Sequence, residues 1–204
     1  AAQINMIVSS NLASRLGPGA ISALEYAWRV MLLPQGVFAQ AVGTAVFPTF
    51  SKQAALGKRR ALGVTLANAL GMLVALTIPA SVGLVLLGEP IVATMFQRGA
   101  FDAASTEAVA WALAFFALGL VGHAALEVLG RAFYALQDTW TPALAAVVAV
   151  VLNALLGALL PGAMTAVGLM PLGGLAMATA VAALVETVLL YVLIRRRLGE
   201  FEVD

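Results

Sequence analysis

The sequence contains no cysteine, only one histidine and few charged residues. Without cysteine there is no disulfide, thiolate zinc site, iron–sulfur cluster or cysteine nucleophile. It also lacks a glycine-rich phosphate loop and a nucleophile elbow. The 11 basic and 10 acidic residues nearly cancel to a net charge of +1, which provides no field to hold nucleic acid. These shortages argue against an enzyme, a metal or other cofactor, and a nucleic-acid partner.

Apolar residues are abundant instead. They make up 62% of the 204 residues, charged residues make up 10%, and the mean hydropathy is +1.01. A soluble domain usually has about 25% charged residues, so this chain cannot cover a globule of its size with polar side chains. The composition therefore predicts an all-α membrane protein embedded in a lipid bilayer, in the manner of a bacterial cytoplasmic (inner) membrane protein.

Long apolar stretches divided by glycine and proline indicate the number of membrane spans. A helix needs about 20 residues to cross a hydrocarbon core roughly 30 Å thick. The sequence predicts a six-helix transmembrane bundle that forms a single lobe, with its first helix truncated. The approximate spans are 1–14, 21–50, 61–88, 108–126, 141–160 and 172–194. We expect the second span to stop near Pro48 and the fifth to end before Pro161.

Basic residues between the spans predict the orientation of the bundle, because Lys and Arg in short loops stay in the cytoplasm. If the six spans alternate, eight basic residues fall on one side: Lys52, Lys58, Arg59, Arg60, Arg131, Arg195, Arg196 and Arg197. Only Arg15 and Arg98 fall on the other side. This bias predicts a cytoplasmic C-terminus.

Arg29 is the clearest candidate binding residue, because it lies inside a long span where a cation is costly. One interpretation is that it faces a water-filled cavity and binds an anion such as a phosphate, which suits a guanidinium fork. The other is a structural ion pair with Glu25, four residues earlier on the same helix face, or an arginine that reaches to the interface.

Other polar residues in the spans are weaker candidates. His123 and Glu127 share a helix face and are a candidate proton or charge relay, against a purely structural or interfacial role. Glu25 and Glu186 are candidates for the same relay. Glu186 is an intramembrane carboxylate that is either functional or paired with a nearby arginine. Asn153 and Thr179 offer oxygen atoms to a small cation, or simply hydrogen-bond between helices.

Several ordered segments resemble one family. The segment GAISALEYAWR at residues 19–29, followed by LPQG at 33–36 and FPTFS at 47–51, is similar to the eighth transmembrane helix of the MurJ/MviN lipid II flippases. FQRGAF at 96–101, FYALQDTWTP at 133–142 and GLAMAT at 174–179 are similar to later parts of that family in the same order. The resemblance extends over essentially the whole chain.

The resemblance implies one lobe of a two-lobe exporter of the multidrug/oligosaccharidyl-lipid/polysaccharide superfamily. In such a protein two six-helix lobes rock around a cationic cavity and carry lipid-linked peptidoglycan precursor outward by alternating access. This chain matches the C-terminal lobe, so the implied partners are the precursor, the N-terminal lobe and the bilayer. The resemblance also gives Arg29 the role of binding the precursor's pyrophosphate.

Two departures from the family pattern limit which roles can be transferred from the family to this chain. Trp28 stands where the family commonly has an aspartate before the cavity arginine. Asn153 and Thr179 match two sodium ligands found in some members, but Ser9 and Gly157 occupy the positions of two acidic ligands. The absence of the two carboxylates argues against sodium coupling and leaves the membrane potential or a proton gradient as the driving force.

Two alternatives remain open from the sequence. One is an exporter in the same superfamily that carries another polyprenyl-linked saccharide or a drug. The other is a membrane scaffold or half-lobe that transports nothing.

Overall fold

A computed structural model describes residues 2–199, apart from the side chains of residues 2–6 and 8. The first residue of the predicted span 1–14 therefore lies outside the described part. Within that part the chain forms seven helices, which confirms the all-α fold. Their bounds are α1 Ala2–Ala13, α2 Ala20–Ala55, α3 Arg59–Phe96, α4 Ala103–Leu118, α5 Leu120–Ala135, α6 Trp140–Ala166 and α7 Leu172–Leu198.

Four of these helices, α2, α3, α6 and α7, are each long and apolar enough to cross a membrane. The pair α4 and α5 passes the same criterion together, although the two helices are bent by 48° at Gly119. The fourth predicted span, 108–126, thus lies within a longer and broken helical segment. Apolar periodicity gave no sign of this bend, because α4 and α5 are apolar on both sides of the break.

The three helices that contain proline in their interior extend beyond their predicted ends. α2 continues through Pro48 to Ala55, and α6 continues through Pro161 to Ala166. A proline inside a helix removes one backbone hydrogen bond, and neighbouring helices in a membrane bundle make this tolerable. α3, with 38 residues, contains Pro79 and Pro90 and is longer than the hydrocarbon core at about 1.5 Å per residue.

Buried side chains form two apolar clusters at opposite ends of the bundle. One joins α4 to the first halves of α2 and α7, and includes Leu113 and Phe116. The other joins α5 to the second halves of α2 and α7, and includes Phe50 and Phe133. Because α2 and α7 pass through both clusters, they connect the two ends of the lobe.

Small residues allow the helices to approach closely, as membrane packing requires. A Cβ atom on Gly174 would lie 2.6 Å from the backbone nitrogen of Pro161, where α7 crosses α6. A Cβ atom on Gly119 would lie 2.7 Å from the Cα atom of Ala180. The backbones of α6 and of the α4–α5 bend therefore touch α7 directly.

Candidate functional site

Arg29 lies on α2, and its side chain is 68% exposed. Glu25, one turn earlier, is 42% exposed, and its Oε2 atom is 3.7 Å from Nη2 of Arg29. This separation allows electrostatic attraction but is too long for a hydrogen bond. The structure thus contains the ion pair considered from the sequence, but the pair is loose and leaves the guanidinium accessible.

Aromatic packing flanks Arg29 on the same helical turns. The ring of Tyr26 lies 4.8 Å from that of Phe96, and the ring of Trp28 lies 5.4 Å from that of Phe116. Such aromatic contacts stabilise the packing beyond the apolar area that they bury. α3 and α4 thus cover the part of α2 that carries Tyr26 and Trp28, while the Arg29 side chain remains 68% exposed.

His123 and Glu127, the candidate relay on α5, have different surroundings. The His123 ring packs edge-on against Trp28 at 5.1 Å, and its Nε2 atom has no hydrogen-bond partner within the described chain. Glu127 instead accepts a hydrogen bond of 2.8 Å from Nη2 of Arg131. The structure therefore places the two residues in separate interactions rather than in one hydrogen-bonded chain.

Arg131 connects α5 to α2, a contact that sequence reasoning missed. Its Nη2 atom also donates to Oε1 of Gln40 at 2.7 Å, and its side chain is only 18% exposed. The guanidinium lies against Gly43, whose Cβ, if present, would be 2.9 Å from Cζ of Arg131. The i,i+4 spacing of Glu127 and Arg131 was a signal for their pair, but nothing local pointed to Gln40.

The candidate cation ligands lie together between α1, α6 and α7. Thr179 donates to Oδ1 of Asn153 at 3.3 Å, and Nδ2 of Asn153 donates to the Ser9 hydroxyl at 3.4 Å. Gly157 offers no ligand, and a Cβ there would lie 2.9 Å from Cδ1 of Leu12. These neutral groups do not fit the sodium site that the resemblance implies, because both expected carboxylates are missing and leucine packing fills one position.

Glu186 lies in the interior of the lobe. The residue is 8% exposed on α7, seven residues after Thr179. The pairing with a nearby arginine that the sequence allowed is not formed. Within residues 2–199 the three ion pairs are Arg29–Glu25, Arg131–Glu127 and Arg197–Asp138.

Two aspartates outside the helices cap the helices that follow them. Asp102 accepts hydrogen bonds from the backbone and hydroxyl of Ser105, which hold the pKa of its carboxyl below the ordinary value of 3.8. The pKa of Asp138 is lowered chiefly by the Thr141 hydroxyl, with further help from the Arg197 guanidinium. Both carboxylates stabilise the start of the helix that follows them.

Comparison with known proteins places this arrangement in a family. The family described as "Lipid II flippase MurJ" matches residues 1–203. The chain belongs to the lipid II flippase MurJ family. Members of this family are multi-pass membrane transporters and not enzymes.

Individual relatives agree with this assignment. The lipid II flippase MurJ of Burkholderia cenocepacia is 33% identical over 196 residues, which are 96% of this chain and 37% of the relative. The probable lipid II flippase MurJ of Rhizobium tropici is 35% identical over 195 residues, 96% of this chain and 35% of the relative. The chain thus spans little more than a third of the length of these relatives.

Solved structures show the same fold. A lipid II flippase MurJ in an inward closed conformation superimposes with a TM-score of 0.82 at 32% identity, covering 95% of this chain and 40% of that one. A MATE transporter in a bent conformation gives a TM-score of 0.79 at 15% identity, covering 98% and 43%. The second likeness concerns the fold alone.

Proposed function

We propose that this chain is the C-terminal lobe of a lipid II flippase, which moves lipid-linked peptidoglycan precursor across the cytoplasmic membrane by alternating access. The observation that carries the proposal is the exposed guanidinium of Arg29 within a membrane-spanning helix. A cation at that depth is costly unless it faces water or an anion. In a chain of the MurJ family, the anion that fits this role is the precursor's pyrophosphate.

The geometry of Arg29 suits a ligand that binds reversibly. Glu25 is close enough to stabilise the cation between turnovers, but at 3.7 Å it leaves the guanidinium N–H groups free to donate. Phosphate oxygens accept such hydrogen bonds in pairs, and charge assistance makes these bonds strong. The pyrophosphate would therefore displace Glu25 at little cost.

We propose that the exposed side of α2 that carries Arg29 faces a partner. Beyond Arg29 it carries the exposed residues Leu32, Leu33, Gly36 and Val37. We assign this surface to the cavity shared with the N-terminal lobe, since the relatives are nearly three times as long as this chain. The cluster of basic residues after α2 and at the end of α7 supports a cytoplasmic location for the C-terminus.

The experiment is complementation of a bacterium depleted of its own lipid II flippase by the gene for the complete transporter. The wild type is compared with Arg29→Ala and Arg29→Lys at matched membrane levels. Arg98→Ala is the control, because Arg98 is also exposed and its side chain, among the described residues, bonds only to the carbonyl of Met95, three residues earlier.

We expect growth with the wild type and with Arg98→Ala, failure with Arg29→Ala, and at most partial growth with Arg29→Lys. Lysine keeps the charge but loses the bidentate geometry. Normal growth with Arg29→Ala would refute the role of Arg29. Failure of the well-expressed wild type would refute lipid II as the substrate and favour another polyprenyl-linked saccharide.

A further inference from the structure

Glu186 differs from every other buried polar residue in the described chain. The buried polar residues there are Thr77, Thr106, Asn153, Thr179 and Glu186. The three threonines and Asn153 all make hydrogen bonds. Within residues 2–199, Glu186 has neither a hydrogen bond nor an ion pair. An ionised carboxylate without such partners is strongly disfavoured in a low-dielectric interior.

No cation on the neighbouring helices compensates Glu186. Along the described chain, α1 and α6 contain no acidic, basic or histidine residue. On α5, Arg131 is paired with Glu127, while His123 packs against Trp28.

The remaining charged residues on helices that pack against α7 lie elsewhere. They are Glu25, Arg29 and Lys52 on α2, Arg59, Arg60 and Glu89 on α3, and Glu107 on α4. Glu25 and Arg29 pair with each other on the exposed side of α2, and the others are exposed. The arginines of α7 itself begin nine residues after Glu186, about 13 Å along the helix.

Glu186 continues a line of polar side chains through the lobe. Ser9, Asn153 and Thr179 are joined by hydrogen bonds across α1, α6 and α7. Glu186 follows Thr179 by seven residues, which is about two helical turns and about 10 Å on the same face of α7. The line is neutral apart from Glu186, so this carboxyl is its one group that can gain or lose charge.

We propose that Glu186 is the proton-binding group that couples this lobe to a proton gradient. While Glu186 is enclosed between the helices, its carboxyl carries a proton on one oxygen and is neutral. When the lobes reorient and water reaches it, the O–H bond breaks, the proton passes to water and the carboxylate remains. The coupling rests on the transport function proposed above.

The first test detects the proton directly and needs no substrate. The complete transporter in lipid nanodiscs is studied by infrared difference spectroscopy during a pH step, and the carbonyl stretch of a protonated carboxyl is followed. We expect a signal in the wild type and in Glu89→Gln, an exposed acid on α3. Glu186→Gln should lose it, and Glu186→Asp should retain it at a shifted frequency.

The second test measures transport in proteoliposomes under an imposed pH gradient, with the membrane potential clamped at zero. The gradient should accelerate transport by the wild type and by Glu89→Gln but not by Glu186→Gln, whose nearly isosteric amide cannot exchange a proton. Thermal unfolding of each variant verifies that Glu186→Gln is folded.

The two readouts separate the possible failures. A carboxyl signal that is missing in the wild type, or that persists in Glu186→Gln, overturns the proton site. A signal with no effect of the gradient on transport overturns the coupling. If the signal depends on Glu186 and the gradient drives transport of a different lipid, the proton site stands and only the substrate proposed above fails.

Discussion

Arg197 in the last turn of α7 forms an ion pair of 2.7 Å with Asp138 in the loop between α5 and α6. The same carboxylate accepts hydrogen bonds from the backbone N–H groups of Trp140 and Thr141 and from the Thr141 hydroxyl. Asp138 therefore caps the start of α6 and attaches it to the end of α7. We therefore expect this pairing to contribute to stability.

Removal of this attachment should lower stability in a graded way. Asp138→Ala loses both the cap and the ion pair, and we expect a cost of about 1–2 kcal/mol. Arg197→Gln loses only the pair, whose arginine is 51% exposed, so about 0.2–1 kcal/mol is expected. Arg196→Gln is the matched control and should change little. Thermal unfolding in detergent measures the loss of stability in each variant. A loss in Arg196→Gln as large as that in Arg197→Gln would contradict the role of the ion pair.

The contribution of Asp138 should depend on pH. Its pKa in the folded state lies below the ordinary value of 3.8, so the folded state binds fewer protons than the unfolded state as the pH falls. The stabilisation is complete above the ordinary value and is lost as the pH falls through the lowered pKa. The difference in Tm between wild type and Asp138→Asn should therefore shrink from pH 7 to pH 3. A difference that stays constant would assign the effect to something other than the charge.

Glycine at the α4–α5 bend should be required for packing. A Cβ on Gly119 would lie 2.7 Å from the backbone of α7 at Ala180. Gly119→Ala should therefore cost about 1–3 kcal/mol through overpacking. Gly83, inside α3, has nothing within 4 Å of its Cβ position, so Gly83→Ala should be neutral or stabilising by up to about 1 kcal/mol. Comparable losses in Tm for the two variants would rule out the close approach as the cause.

Much of the fold followed from the sequence because membrane helices satisfy their backbone hydrogen bonds locally. Apolar stretches therefore located the helices without knowledge of their neighbours, although not the break at Gly119. Helix ends were less predictable, since Pro48 and Pro161 both lie inside helices. A proline in the sequence shows only that one backbone hydrogen bond of the helix is missing. Whether the helix continues beyond that residue depends on the helices packed around it.

Among the site residues, contacts within one helix could be predicted from their spacing in the sequence. Contacts between helices could not. The i,i+4 spacing made an ion pair of Glu25 and Arg29 one of the alternatives, and it also suits Glu127 with Arg131. The contact of Arg131 with Gln40 joins residues 91 positions apart. No local pattern encodes such a contact, because it depends on how α5 lies against α2.

The sequence by itself determined that this protein spans a membrane as an all-α bundle and belongs to an exporter family, because hydropathy and ordered motifs are local properties of the chain. Only the tertiary structure decided which polar residues are accessible and which are enclosed. Arg29 and Glu186 both lie in apolar helices, yet packing leaves the first 68% exposed and the second almost fully buried. Burial depends on which helices cover a side chain, and that is a property of the whole bundle.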